Sequence, residues 1–421
     1  MKVLVIGSGG REHTICWALK KSAKISALYC APGNGGISKI AKCIDISASD
    51  IEKMTAFAKE EQIDFVVVAP EDPLALGMVD AMEEVGIPAF GPKMSAAKLE
   101  SSKIYAKSFM EKYNIPTASY RAFNEIEEAR AHILELGAPL VVKADGLALG
   151  KGVVVAMDIE TALQALDSMM IEKKFGDSGK RVIVEEYLTG PEVTVLVFTD
   201  GKTIKAMPSS QDHKRVFTGD LGPNTGGMGA FCPSPNYTEE IARLCMETII
   251  EPTITGMNSE GSPFKGVLYF GLMLTPQGPK VIEYNVRFGD PEAQPVLSML
   301  ETDLLDIFEA VVDERLHELD ISWRSGFASC VVMASGGYPD KYETGYVIKG
   351  LDSVPEDITV FHAATAIENG DFVTNGGRIL GITAIGETLP LASSRAYDGV
   401  SYIDFKDAHY RTDIGDFRNN G

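Results

Sequence analysis

The chain has 421 residues, 45% hydrophobic and 23% charged, a composition that suits a globular protein with a sizeable buried core and roughly two to four domains. Lys and Arg total 39 against 59 Asp and Glu, a formal charge of −20, and no basic run offsets it, so a nucleic acid partner is excluded by repulsion. The opening "MKVLVIGSGGREH" has an apolar run too short for a signal-peptide core or a membrane span, so a cytoplasmic protein with no membrane partner is expected.

In the first hundred residues strand and helix alternate. "KVLVI" is a short apolar strand, "EHTICWALKKS" has helical spacing, and "SALYCA" and "DFVVVAP" are further strands, with helices near 50–61 and 73–85. That rhythm predicts an α/β domain, 1–100, on an open parallel sheet with crossover helices. "GIPAFGPKMSAAKLESSK" leads out of it and a helix through "KIYAKSFMEKYN" carries the chain onward. Between about 117 and 190 the pattern is a compact βαβ-like unit, with strands near "SYRAF", "PLVVKA", "GVVVAM" and "RVIVEEYL" and helices near 125–136 and 159–171. An α+β stretch runs on to about 320, holding a long helix 238–257 and the paired strands "GVLYFGLML" and "PKVIEYNVRF". The remainder, 321–421, reads as short strands with Gly-rich turns. The six cysteines have no CxxC spacing and the six histidines form no HxxxH or HExxH pair, so reduced, mostly buried thiols and no transition-metal site are expected.

The stretch "VVKADGLALGKGVVVA", 141–156, sets a glycine-punctuated loop between two apolar strands. A Walker A loop needs GxxxxGK and then Ser or Thr, but Gly146 and Gly150 are too close and Gly152 follows Lys151. A hairpin flap remains, whose N–H groups and Lys151 suit triphosphate oxygens, with Lys143 at the strand end as a second contact; a mobile surface hairpin is the competing reading. "GSGGREH" lacks the third glycine of a dinucleotide fingerprint, that place being Glu12, and "ALYCAPGN" lacks the ribose-holding acid, which undercuts a nicotinamide oxidoreductase. A glycine turn entering a helix still offers N–H groups and a favourable dipole to an anion, so Gly9, Gly10 and Arg11 read as a phosphomonoester site.

In "VIEYNVRFGDPE", Glu283, Asn285 and Arg287 alternate along a strand and share a face. A carboxylate, an amide oxygen and a guanidinium make poor core, but they suit a Mg²⁺ site beside an anion clamp. "SSQDHKRVFTGDLGPNTGGMGAF" joins Asp212, the Lys214/Arg215 pair and the Gly226/Gly227 turn in a loop suited to gripping small polar substrates, or else a long Ω-loop.

In order along the chain, "GSGGREH", "APGNGG", "FGP", "SSK", "KADGLALGKGV", "SQDHKR", "GPNTGGMGA", "GLM", "EYNVRFGDPE", "GGYP" and "TNGGR" resemble the glycinamide ribonucleotide synthetases of the ATP-grasp superfamily. The resemblance implies ligation of glycine to 5-phosphoribosylamine with ATP, in de novo purine biosynthesis, through a glycyl phosphate. It implies an α/β and α+β multidomain chain: a Rossmann-like N-terminal domain (1–100), an ATP-grasp domain (101–320) with a mobile lid at about 120–190, and a small mixed C-terminal domain (321–421). Carried over by position, Lys103 and Lys143 contact the nucleotide phosphates and the 146–152 flap, with Gly150 and Lys151, closes on them. Glu185 and the backbone around Tyr187 and Leu188 face the adenine, and Glu192 holds the ribose. Glu283 and Asn285 hold Mg²⁺ or Mn²⁺ and Arg287 stabilises the acyl phosphate. Gly9, Gly10, Arg11 and Glu12 meet the phosphoribosylamine phosphate, Asn34 and Glu71 lie near its ribosyl part, and Asp212 and Lys214 serve the glycine.

The chain departs from the family pattern at Ala69 and Ala364, where glycine is usual, and "GVLYFGLML" lacks the extra metal-binding acid of many ATP-grasp relatives. A second ion would then fall to Asp290 or Glu292. The chain ends near 421, so a monofunctional enzyme is expected, as monomer or weak homodimer. The rivals are an ATP-grasp ligase for another amine, which "GPNTGGMGA" and "QDHKR" argue against, and a nucleotide sensor, which the intact Lys143, Lys151, Glu283, Asn285 and Arg287 argue against.

Overall fold

The computed structural model describes residues 1–147, 152–172, 174 and 176–416. Near the N-terminus, β1 (Lys2–Gly7), α1 (Gly10–Leu19), β2 (Ala27–Pro32), β3 (Lys42–Cys43), α2 (Ile51–Glu60) and β4 (Phe65–Val68) follow in turn. Two helices, α3 (Glu71–Ala75) and α4 (Met78–Glu84), precede β5 (Ala89–Phe90). The strands form one sheet in the order β3-β2-β1-β4-β5, every pair parallel. Val3 to Ile6 have no exposure, as expected where helices cover both faces of a parallel sheet. The helix expected over 73–85 is two helices, because Gly77 turns the chain at φ +89, a region that glycine enters without steric cost.

Next come α5 (Met94–Ser101) and α6 (Lys103–Lys112), then β6 (Tyr120–Phe123), α7 (Ile126–Leu136), β7 (Leu140–Ala144), β8 (Val153–Ala156), α8 (Ile159–Met170) and β9 (Val182–Glu186). The sheet order is β6-β9-β7-β8 with antiparallel neighbours. β6 and β7, joined by α7, therefore run the same way with β9 between them, and β8 and β9, joined by α8, enclose β7. The βαβ-like reading resolves into two interleaved split units. This sheet and its helices bury their own apolar cluster, around Ile133, Leu140, Leu166 and Val184. A second cluster unites the N-terminal sheet with the sheet that follows, from Leu4 and Ile6 to Val195, Phe270 and Val281. An element with a separate core moves as a unit more easily than one that shares its core.

The central sheet, in the order β11-β10-β16-β17, contains β10 (Glu192–Thr199), β11 (Ile204–Ala206), β16 (Gly266–Thr275) and β17 (Gly278–Asn285). Between its halves the chain forms β12 (Gln211–Asp212), the hairpin β13 (Arg215–Phe217) and β14 (Leu221–Asn224), β15 (Gly229–Cys232), α9 (Glu239–Cys245) and α10 (Glu251–Ser259). The long helix expected over 238–257 contains a π-helical turn at Met246–Ile250. Pro252, which has no N–H to donate, stands two positions after the last residue of that turn. After α11 (Ala293–Ser298) and α12 (Leu304–Val312) come β18 (Phe327–Ala334), β19 (Thr359–His362), β20 (Thr365–Glu368), β21 (Asp371–Thr374), β22 (Arg378–Gly386) and α13 (Leu389–Tyr402). The last large sheet is ordered β12-β15-β18-β22-β19, so two strands from the 209–232 block join it. That block is thus neither a bare loop nor an Ω-loop. All six cysteines are free thiols, five of them buried. Among the described residues no helix is long and apolar enough to cross a membrane.

The N- and C-terminal sheets meet at a buried histidine pair. His13 Nδ1 accepts the His362 N–H at 2.7 Å, and His362 Nδ1 lies 3.1 Å from Thr365 Oγ1. Burial, with the His362 charge opposing, holds His13 down at about 3, and burial alone holds His362 at about 4. Both sit below the unfolded value of 6.5, so the unfolded chain takes up protons first and stability falls as pH drops from 6.5 toward 4. The expected cost at pH 5 is about 2 kcal/mol per ring. Urea midpoints at pH 7 and pH 5, for the wild type and His13→Asn, check this: the variant loses less on acidification.

Candidate functional site

β17 carries the central side chains. A register shift against β16 puts Gly271 opposite Glu283 and Leu272 opposite Val281, and the strand ends at Asn285 rather than Phe288. The one-face expectation nonetheless holds: Asn285 Nδ2 is 3.5 Å from Glu283 Oε1, and Arg287 Nη2 donates to Asn285 Oδ1 at 3.1 Å. Arg287 is clamped by two acids, with Nε 3.2 Å from Glu71 Oε2 and Nη2 3.0 Å from Glu100 Oε1. Burial opposes ionisation of Glu71, yet Arg287 and Arg11 together draw it down to about 2. At Glu100 burial wins, and the carboxyl rises to about 7 despite Arg287.

Lys103 opens α6 behind the Ser102 cap. Asp145 fixes that helix start by accepting the Ile104 N–H at 2.8 Å and the Ser102 hydroxyl at 3.0 Å. Lys103 Nζ reaches the Gly146 carbonyl at 3.2 Å, where the flap leaves β7. Burial lowers its pKa while Glu283 pulls the other way, and Lys143 adds repulsion, so Lys103, Lys143 and Glu283 share one field. Lys143 Nζ is 2.9 Å from Glu185 Oε2 and 3.1 Å from the Ile282 carbonyl. Glu185 also meets Lys107 at 3.2 Å and is 3% exposed. Tyr187 and Leu188 lie just past β9, half-buried, on the way to Glu192 at the start of β10. Gly150 and Lys151 lie outside the described residues.

At the α1 turn, Gly9 donates its N–H to Glu12 Oε2 at 2.5 Å, and Arg11 N lies 3.4 Å from Asp290 Oδ2. These carboxylates occupy the donors that the sequence offers to an anion. Arg11 points inward, with Nε to Glu12 at 2.7 Å, Nη1 to the Phe288 carbonyl at 3.1 Å and Glu71 at 3.6 Å. A Cβ at Gly10 would stand 2.6 Å from Gln294 Nε2, so the Gln294 amide would have to move to admit a side chain. Asn34 spends its amide on the scaffold, donating to the Ser8 and His362 carbonyls and accepting the Ile37 N–H. Asp212 takes Lys214 Nζ on both oxygens at 2.9 Å, and the same ammonium is 3.4 Å from Glu192. Arg215 turns away and braces its own hairpin through the Gly222 carbonyl. Asp290 is held by Gln294 at 3.0 Å and Arg378 at 3.4 Å, whereas Glu292 faces Thr194 at 3.4 Å. Burial and the Asp212 charge push Glu292 up to about 7.

Sequence reasoning missed Glu100, Lys107, Asp145 and Arg378. A signal existed for two of them. Glu100 stands with Ala96, Ala97 and Leu99 on the buried side of α5, and Lys107 follows Lys103 by one turn of α6. A charge on an apolar helix face needs a buried partner.

Two lysines, a carboxylate–amide pair and a clamped arginine thus meet between a central sheet and a small two-helix sheet with its own core. That fold and site define an ATP-grasp ligase. The chain belongs to the phosphoribosylglycinamide synthetase family: residues 1–100 match its N domain, 101–293 its ATP-grasp (A) domain and 328–417 its C domain. It is 49% identical to the phosphoribosylamine–glycine ligase of Brucella melitensis over 99% of this chain and 97% of that one. Identity to the enzyme of the same name from Vibrio parahaemolyticus is 48%, over 99% and 98%. The crystal structure of the Thermotoga maritima phosphoribosylamine–glycine ligase superposes with a TM-score of 0.83 at 33% identity, covering 98% of this chain and 100% of that one. A biotin carboxylase domain from Hydrogenobacter thermophilus shares the fold, with a TM-score of 0.74 at 16% identity over 97% and 91%.

Proposed function

We propose that this chain joins glycine to 5-phosphoribosylamine at the expense of ATP, giving glycinamide ribonucleotide, ADP and phosphate. The convergence of Lys103, Lys143, Glu283, Asn285 and Arg287 carries the phosphoryl-transfer part of this reading. The relatives named above, matched over nearly their whole length, support the substrates.

Lys103 and Lys143 meet the nucleotide phosphates, and Gly150 and Lys151, the further phosphate contacts that the sequence offers, lie outside the described residues. The Glu185 carboxylate is committed to lysines, so the base is recognised by backbone near Tyr187 and Leu188, with Glu192 on the ribose. Glu283 and Asn285 offer one carboxylate and one amide oxygen. Among the described residues no three His, Cys, Asp or Glu side chains gather as a metal cage. That donor set fits a hard cation, and Glu283 and Asn285 would hold Mg²⁺ or Mn²⁺ there. Bound there, the ion supplies charge neutralisation at the transferring phosphoryl group.

The glycine carboxylate attacks the γ-phosphorus, ADP leaves, and the substrate amine then displaces phosphate from the glycyl phosphate. Arg287, held in place by Glu71 and Glu100, stabilises the charge on the acyl phosphate. The lid excludes water, which would hydrolyse that mixed anhydride. Gly9, Gly10, Arg11 and Glu12 take the phosphate end of the phosphoribosylamine, the anion displacing Glu12 from the Gly9 N–H. Glu71 lies at the ribosyl part with Asn34 as scaffold, and Asp212 with Lys214 orients glycine.

ADP release measured with ATP, Mg²⁺, glycine and fresh 5-phosphoribosylamine, each omitted in turn, tests the function. Release that needs every component, with a glycine-containing nucleotide by mass, is expected; release indifferent to the amine would sink the reading. Arg11→Ala is expected to raise KM for the phosphorylated amine by about tenfold, the loss of one charge-assisted contact, and to leave KM for ATP unchanged. A selective loss of ATP affinity would contradict the placement.

A further inference from the structure

Lys107 is a buried lysine that the reaction above does not use. It leaves α6 on the same face as Lys103, one turn later, and is 2% exposed. Its ammonium donates to Thr117 Oγ1 at 2.8 Å and to the Ala118 carbonyl at 3.2 Å, and Glu185 Oε1 lies at 3.2 Å. Two hydrogen bonds to neutral acceptors thus fix Lys107, while Glu185 Oε1 stands at ion-pair distance and, among the described residues, accepts no hydrogen bond. Thr117 is itself fixed, donating to the Val281 carbonyl at 2.7 Å. Among the described residues Lys143 has one neutral acceptor, the Ile282 carbonyl at 3.1 Å, beside its ion pair with Glu185 Oε2 at 2.9 Å, so it is held less fully than Lys107.

One buried carboxylate therefore has two ammonium partners, one locked and one able to leave. If Glu185 had only Lys143, moving that lysine to a phosphate would strand a desolvated carboxylate, a strongly unfavourable state. We propose that Lys107 is a positioning residue that keeps Glu185 neutralised, so that Lys143 is free to pass from Glu185 to the nucleotide phosphates. This rests on the reading above that Lys143 meets the nucleotide.

The test is equilibrium binding of a fluorescent ATP analogue with Mg²⁺ to the full chain, for the wild type, Lys143→Met, Lys107→Met, Glu185→Gln and the Lys107→Met/Glu185→Gln double variant. Lys107→Met is expected to weaken binding about tenfold, because Glu185 then retains Lys143, and the double variant to bind within about threefold of Glu185→Gln alone. Unchanged binding by Lys107→Met, or a double variant as weak as Lys107→Met, overturns the proposal while the nucleotide site stands. Lys143→Met binding like the wild type overturns the site reading and the proposal with it.

Should Lys107→Met fail to fold, the wild type and Glu185→Gln are compared from pH 7 to pH 9.5. Burial brings Lys107 down to about 8, with Glu185 drawing it back up and Lys143 opposing. Its other charged or aromatic neighbours are Glu186, which Lys280 holds at 2.9 Å, and the Tyr120 ring at 5.5 Å. Affinity should fall above pH 8 in the wild type and stay level in Glu185→Gln. Equal alkaline losses in the two proteins overturn the proposal.

Discussion

Glu283→Ala is expected to lower kcat by about a thousandfold or more, the scale of losing an electrostatic contact to a transferring phosphoryl group, while the protein stays folded. The second half follows from what Glu283 touches. It is half-buried, among the described residues its hydrogen-bond contact is the 3.5 Å approach of Asn285 Nδ2, and Gly271 stands opposite it in the sheet. Among the described residues it makes no ion pair within salt-bridge distance, so a change within about 1 kcal/mol is expected. The same carboxylate sits in the field of Lys103. A lysine without that partner still attracts phosphate, so ATP binding measured without metal should hold or tighten. Turnover across a range of Mg²⁺, with a melting curve for each sample, separates the effects. Wild-type activity at low Mg²⁺ would remove Glu283 from the metal site.

The parts of the fold legible in the sequence are those where one strand or loop carries its own signal. "VLVI" and "FVVV" are continuous apolar runs because parallel strands are covered on both faces. The Glu283, Asn285 and Arg287 alternation is legible for the opposite reason, since a polar group at every second residue among Val281, Tyr284 and Val286 has no packing explanation. What escaped depends on contacts between distant segments. Gln211–Asp212 and Gly229–Cys232 are short strands inside a polar block, and only β18, far along the chain, makes them part of a sheet. Helix α13, "LPLASSRAYDGVSY", has three serines and a glycine that blur its periodicity; its Thr388 cap, accepting the Leu391 N–H, and a proline at its start are the local signals. Glu100 and Lys107 signal only a charge on an apolar helix face; their partners Arg287 and Glu185, which make them part of the site, come near only after folding. Pairing of this kind also limits motif-based reading. The family residues carried over to Asn34 and Glu185 are present, yet their side chains here hold scaffold carbonyls and lysines.

Arg287→Met should stop turnover and destabilise the protein together, in contrast to Glu283→Ala. The guanidinium is the shared partner of Glu71 and Glu100, at 3.2 and 3.0 Å, and Glu100 also accepts the Val286 N–H at 2.7 Å where β17 ends. Breaking a buried pair by deleting one member typically costs about 3–5 kcal/mol, because the other charge is left uncompensated. Glu71 keeps Arg11 at 3.6 Å, so the damage concentrates on Glu100. That carboxyl already stands at about 7, above its ordinary 4.5, and loses its main counter-charge in the variant. A carboxyl whose folded pKa exceeds its unfolded one costs stability as pH rises through that window, since the folded state holds the proton that the unfolded state has released. The destabilisation by Arg287→Met should therefore be smaller at pH 6 than at pH 8. Adding Glu100→Gln should recover most of the pH 8 loss by replacing the stranded charge with an amide that has none. It should recover no turnover, because the positive charge at the acyl phosphate is still missing. Urea midpoints at the two pH values, set beside kcat for the wild type, the single variants and the double variant, resolve these effects. Stability restored together with activity would mean that Arg287 is structural; stability restored without activity places it at the reacting phosphate.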